Sequence, residues 1–215
     1  MNNFIQNLNE PPIFGELSFS FDFEPVSLQS NSQKKEFVKN EIRKITNQIK
    51  YVLSGEIKVE IQWLVHEQER YESPNAPDMD NIIKPILDGL SGPNGIIIDD
   101  CQVQTIGSHW IDWTKKEHKI NINIQFVADE FVSKNNLVFV RIDRNLYMPI
   151  QSDLPIEAKK ILIEYLQKVV DLKNEIYNKT NDYYEAKRIM PIQRLFHKSR
   201  INENFTLLEV EEYLK

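Results

Sequence analysis

The stretch from Pro77 to Asp100 reads "PDMDNIIKPILDGLSGPNGIIIDD", an apolar helical run with two aspartates near each end and Lys84 between them. Ile82, Ile83, Ile86, Leu87 and Leu90 recur at helical spacing, and Gly89 and Gly92 close the run. Pro85 is tolerated near a helix start, which places that start close to Asp80. Asp78 and Asp80 stand at i and i+2, so an extended entry turns both carboxylates to one side. Lys84 comes one helical turn later. "SGPNG" is a turn able to reverse the chain, and "IIIDD" a short extended run that brings Asp99 and Asp100 back toward the first pair.

Working outward, Leu17, Phe19, Phe21 and Phe23 alternate with Ser18, Ser20, Asp22 and Glu24, the period of a half-buried strand. In "SQKKEFVKNEIRKITNQIKYVL", Phe37, Val38, Ile42, Ile45, Ile49 and Val52 predict one amphipathic helix that ends at Ser54-Gly55. "EIKVEIQWLV" resumes strand alternation, and "HEQERYESPNAPD" reads as a polar, turn-rich connection into the motif. After it, "QVQTIGSHWIDW" and "HKININIQFV" read as strands joined by the "TKKE" turn. The expected order is β-α-β-α-β-β, an α/β (α+β) mixed sheet with helices packed on it, over residues 1–128.

From Asp129 the character changes. "NLVFVRIDRNLYMPI" is strand-like, and "SDLPIEAKKILIEYLQKVVDLKNEIYN" predicts a long amphipathic helix with Asp153 as N-cap and Pro155 in the first turn. Residues 129–215 are therefore expected to form a largely helical C-terminal extension. Within it "KRIMPIQRLFHKSR" gathers Lys187, Arg188, Arg194, Lys198 and Arg200 with no acid, and with Phe196 and His197 among them. Such a patch suits phosphate gripping and base stacking as well as a solvated helix face.

The 215 residues carry a net charge of -6 and a single cysteine, Cys101, which excludes a disulfide within the chain and a zinc site built on several thiolates. Acidity is concentrated early, with 18 acidic and 12 basic side chains in residues 1–128 against 14 of each in 129–215. The balance argues against a uniformly basic nucleic-acid glove, but carboxylates gathered for a cation leave the same imbalance, and a nucleic-acid substrate stays open. Neither a secretory leader nor an apolar run of membrane-spanning length is seen, and a cytoplasmic protein is expected. His66, His109, His118 and His197 have no metal-ligand spacing, and no Gly-rich phosphate loop is present. Converging carboxylates repel one another unless a hard cation lies among them, and such a centre serves phosphoryl chemistry. Asp is equally a residue of turns and helix caps, so spacing alone leaves a structural role open.

"PDMDNIIKPILDGL" followed by "IIIDDCQV" resembles the signature of the RusA family of Holliday-junction resolvases in order, spacing and residue type. "EPVSLQSNSQKKEF" is similar to that family's N-terminal Pro-containing loop and basic helix. The resemblance, over roughly residues 15–127, implies a homodimeric nuclease that cuts four-way DNA junctions with Mg²⁺ or Mn²⁺ in recombination or repair. It implies metal-binding carboxylates at Asp78, Asp80 and Asp100, an assisting cation at Lys84 and a secondary acid at Asp99. Asn81, Gln102 and Asp88 match the pattern and are read as supporting or structural. Two departures stand out: the segment before Asp78 holds only Arg70 as a fixed positive charge, and the minimal family fold lacks the extension. A non-catalytic module of this fold that binds nucleic acid or protein, or a nuclease for another branched or flap substrate, is the competing expectation.

Overall fold

The computed structural model describes residues 7–26, 31–74, 79–190, 194–201 and 203–215, with the backbone alone at Asp80 and Asn81. The chain divides into two compact units, Met1–Phe131 and Val132–Lys215. Mixed α/β content runs through both.

The first unit is built on a four-stranded sheet of β1 (Glu16–Phe21), β3 (Ile57–His66), β4 (Val103–Trp113) and β5 (Lys119–Phe126), in the order β1-β5-β3-β4. β5 runs antiparallel to β1 and β3, whereas β3 and β4 are parallel. A parallel pair needs a long crossover, and this one contains the motif. Leu17, Phe19, Val59, Ile61, Trp63, Ile122 and Ile124 fill one sheet face. Val38 and Ile42 of α1 (Ser32–Thr46) and Ile82, Ile86 and Leu90 of α3 (Met79–Leu90) belong to the same buried cluster. The opposite face is a polar ladder: Ser20 donates to Asn121, Asn121 to Gln62, and Asn123 to Ser18 and Glu16.

The order found agrees with the expected alternation and adds two short elements. The first helix stops at Thr46 with Asn47 as C-cap, not at Val52. Tyr51–Leu53 is instead a fully buried strand, β2. Ile49 and Val52 extend the helical spacing, yet burial on every side rather than on one stripe makes that segment extended. Phe37, expected on the apolar face, is 51% exposed. The connection expected as turns contains a helix, α2 (Glu67–Glu72), whose N-cap is the His66 imidazole accepting from the Gln68 N–H. α3 begins at Met79, beside the expected Asp80, and Pro85, which has no N–H for the helical ladder, lies inside it.

A short strand, β6 (Phe131–Ser133), crosses the division. The second unit has a four-stranded sheet of β7 (Leu137–Asp143), β8 (Leu146–Gln151), β9 (Phe196–His197) and β10 (Thr206–Leu208), in the order β10-β7-β8-β9. The strand-like stretch is thus a hairpin, with Arg144 at its tip in the left-handed region. The long helix is α4 (Ile156–Thr180), followed by α5 (Tyr183–Lys187) and α6 (Val210–Tyr213). Ile163, Leu166 and Val170 of α4 and Tyr213 of α6 share one core with β7 and β8. Asp153 does not cap α4: its carboxylate accepts from the Asn136 amide at 2.9 Å, and Pro155 takes the N-cap position. Among the described residues, no helix is long and apolar enough to cross a membrane.

Candidate active site

The return of the chain after α3 is fixed by backbone chemistry. Leu90 ends the helix, and its carbonyl accepts from both Ile96 N (2.7 Å) and Ile97 N (3.1 Å). Gly92 adopts φ 95°, a conformation that favours glycine, and Gly95 sits so close that a Cβ there would lie 2.0 Å from the Leu90 carbonyl oxygen. The Thr46 hydroxyl at the end of α1 donates to the Asn94 carbonyl at 2.7 Å and pins the turn from outside. Ile96, Ile97 and Ile98 are then fully buried. Burying each such side chain contributes about 1.5–3 kcal/mol, enough to anchor the acidic segment that comes directly after them.

That segment consists of Asp99 and a single 3-10 turn over Asp100–Gln102. Asp99 is the N-cap of the turn, with Oδ1 accepting from Cys101 N at 3.0 Å. Gln102 is buried and serves four backbone groups at once. Its Oε1 accepts from Ile98 N (2.8 Å) and Asp99 N (3.1 Å), and its Nε2 donates to the Leu53 and Gly55 carbonyls at 2.9 and 2.7 Å. The amide therefore ties the acidic turn to β2 and to the loop that leads into β3.

Across from this turn, Lys84 of α3 places Nζ 2.6 Å from Asp100 Oδ2 and 2.9 Å from Asp88 Oδ1. Partial burial pushes the ammonium down, but hydrogen bonds to Asp100 and Asp88 and the charge of both carboxylates outweigh it and hold its pKa above the ordinary value. Lys84 is therefore charged throughout the neutral range. Lys39 of α1 stands 3.9 Å from the other Asp88 oxygen, so a line of alternating charge runs Lys39, Asp88, Lys84, Asp100. Asp88, with no evident role in the sequence, is the bridge that aims Lys84. Lys39 carried no signal at all, since it looked like one more solvated lysine on a basic helix.

Of the expected site residues, Lys84 and Asp100 are brought together across 16 positions. Asp99 adjoins them as a cap. Asp78 lies outside the described residues, as do the side chains of Asp80 and Asn81, while the backbone of Asp80 lies in the first turn of α3. Among the described residues no three His, Cys, Asp or Glu side chains gather in a way that holds a metal ion.

The histidines have other work. His66 caps α2, His109 meets Glu60 at 3.2 Å, His118 meets Glu69 at 3.2 Å, and His197 accepts from Ser199 N. Arg70, the one fixed cation of the approach segment, is paired with Asp112. In the C-terminal patch, Lys187 lies over the Tyr184 ring and Arg188 pairs with Glu185. Lys198 and Arg200 occupy a 3-10 turn. Phe196 is buried against the Phe139 ring and is not free to stack on a base.

A mixed sheet whose parallel crossover delivers a clamped lysine to a carboxylate on a returning turn defines an α/β protein with an acid and lysine constellation suited to phosphate chemistry. Residues 28–125 match the model of the family described as endodeoxyribonuclease RusA, a span that takes in α1, β3, α3, the acidic turn and nearly all of β5. The chain therefore carries a RusA endodeoxyribonuclease domain, followed by a C-terminal extension with its own sheet and helices. No individual curated protein matches it.

Proposed function

We propose that the chain is a divalent-metal-dependent endonuclease that resolves four-way DNA junctions in recombination or repair, acting as a homodimer. The observation that carries the reading is the 2.6 Å contact between Lys84 and Asp100, which joins the two halves of the motif at one point inside a RusA domain. The donor set consists of carboxylates alone, which fits Mg²⁺ or Mn²⁺ and not a softer metal. Asp78, Asp80 and Asp100 would hold the ion, with Asp99 as secondary acid. When bound, it supplies Lewis-acid polarisation of the scissile phosphate and a more acidic water.

The chain's own residues do the rest. Lys84, kept charged by its two carboxylates, offers an ammonium to the negative charge that grows on the phosphate oxygens. Asp88 restrains that ammonium from the helix side. Gln102 fastens the acidic turn to the Leu53 and Gly55 carbonyls. Lys187, Arg188, Arg194, Lys198 and Arg200 are assigned to phosphates of the junction arms. A C2 dimer suits a substrate with two-fold symmetry that needs two opposed cuts.

The test is incubation of folded protein with a synthetic four-way junction and Mg²⁺ or Mn²⁺. Cleavage is expected, and Asp80→Asn abolishes it while leaving junction binding within about threefold, because the substitution keeps size and removes one negative charge. Normal cutting by Asp80→Asn sinks the site assignment. No cutting of any branched substrate by the wild-type chain, with no thermal stabilisation by either metal, favours a binding module.

A further inference from the structure

The α4 helix buries one stripe and leaves a second apolar stripe uncovered. Ile163, Leu166 and Val170 point into the core of the second unit. On the opposite side, at about 100° per residue, lie Ile161, Tyr165, Leu172 and Ile176. Ile161 is 70% exposed, Tyr165 51% and Leu172 48%, while Ile176 is half-buried. Amphipathic helices of single globular units carry charge on that side, so this face departs from the rule.

The pattern itself names an occupant. The four apolar positions are spaced four, seven and four residues apart, so the stripe reads the same in both directions along the helix. A two-fold axis between Lys168 and Val169 lays Ile161 against Ile176 and Tyr165 against Leu172 of an antiparallel copy. Beside the stripe at its two ends stand Glu157, on one rim, and Lys179, in line with Ile161, and reversal of the helix sets these opposite charges together. Glu157 of one copy then comes within one position of Lys179 of the second copy. In the free chain Glu157 is paired with Lys160 and Lys179 with Glu175, at exposed positions where exchange of partners costs little. Lys168, nearest the axis, has Glu164 and Asp171 within one turn to offset its own copy.

We propose that the α4 face is a self-association surface on which a second copy of this chain docks its own α4 antiparallel. The contact is isologous, since each copy offers the same patch. A single helix pair of this length buries less than a standard interface, so the association is weak and concentration-dependent on its own. It does not rest on the nuclease reading.

The test uses the full chain with the exposed Cys101 changed to Ser as background. Ile161→Cys and Ile176→Cys combined are expected to give a covalent dimer on mild oxidation. Neither single variant does so, because like residues then lie about 22 Å apart, beyond the reach of a disulfide. Adding Leu172→Glu lowers the yield of the double variant at least tenfold, with circular dichroism showing the helix intact. Failure of the double variant to cross-link at any concentration overturns the proposal, and that is also the result if dimers form through residues 1–131 alone. Efficient cross-linking by either single variant, or no effect of Leu172→Glu, overturns the antiparallel pairing.

Discussion

Both units build a four-stranded mixed sheet with one parallel pair, β3 with β4 in the first and β7 with β10 in the second, yet their interiors differ in kind. The buried polar residues among those described, Thr46, Ser54 and Gln102, all lie in the first unit. The second unit closes its core with apolar side chains and the Tyr213 ring. A buried polar group costs free energy unless its hydrogen bonds are made, so a core that keeps such groups is specifying something apolar packing cannot. Here it specifies a turn: Thr46 and Gln102 hold the segment that carries Asp99 and Asp100 beside Lys84. Among its described residues the second unit buries no side-chain amide of this kind, and its buried Tyr213 hydroxyl bonds to the Gln151 carbonyl at the end of β8.

The sharpest way to break that contrast is at the clamped lysine. Lys84→Met removes the ammonium that meets Asp100 while keeping the apolar stem. Cleavage of a four-way junction is expected to fall about 100- to 1000-fold, with junction affinity changed only a few-fold. A variant that cuts within threefold of wild type removes Lys84 from the chemistry. Next in size is Gln102→Leu, which strands two N–H groups and two carbonyls. A loss of about 3 kcal/mol is expected from buried groups left unsatisfied. Trp63, Trp110 and Trp113 all lie in the first unit, so tryptophan fluorescence in a urea titration reports that unit specifically. A change under about 1 kcal/mol shows that the amide is replaceable.

A smaller effect is expected one contact away, at Asp88→Asn. The amide still accepts from Lys84 but carries no charge, so the ammonium loses one of its two anionic restraints. Cutting falls about tenfold in kcat with KM nearly unchanged, and stability stays within about 1 kcal/mol because the pair is partly exposed. A KM effect without a kcat effect assigns Asp88 to substrate binding instead.

How much of the molecule is legible in its sequence depends on the kind of interaction that makes each feature. β1, β3, the apolar face of α3 and the helix of the second unit come from one-dimensional periodicity, since each presents one stripe or face to a core. The pairing of Lys84 with Asp100 was legible through the reversing turn and the motif order together, because no single local rule links positions 16 apart. Features made by capping or by full burial were not legible. α2 starts on an imidazole, a rare cap, inside a segment whose composition suggests turns. β2 is buried on all sides and so borrows helical spacing by chance. Asp153 had the right type and position to cap α4, but Asn136, which approaches from the start of β7 in space and not in sequence, took its carboxylate. Phe196 belongs to a basic run in sequence and to an aromatic core in space.

Two tyrosines carry the comparison down to a single oxygen atom. Tyr51 of the first unit is fully buried, its ring edge-on to Phe131, and its hydroxyl has no hydrogen-bond partner among the described residues. Burial pushes its pKa up to about 12. Tyr213 of the second unit donates to the Gln151 carbonyl at 2.8 Å, and burial, with the charge of Asp153, also raises its pKa. Removing an unsatisfied hydroxyl is favourable and removing a satisfied one is not, so Tyr51→Phe is expected to gain about 1 kcal/mol and Tyr213→Phe to lose about 1 kcal/mol. The pH dependence has one sign for both. A tyrosine whose folded pKa exceeds its unfolded value near 10 keeps its proton in the native state after the unfolded chain has released it. Stability is therefore unaffected below about pH 10 and falls as pH rises from there toward the folded pKa, up to about 12 for Tyr51. Urea titrations followed by tryptophan fluorescence across that window should show the decline in wild type and a shallower one in Tyr51→Phe. Equal slopes would mean that water reaches the Tyr51 hydroxyl in the folded unit, so that burial does not hold its proton.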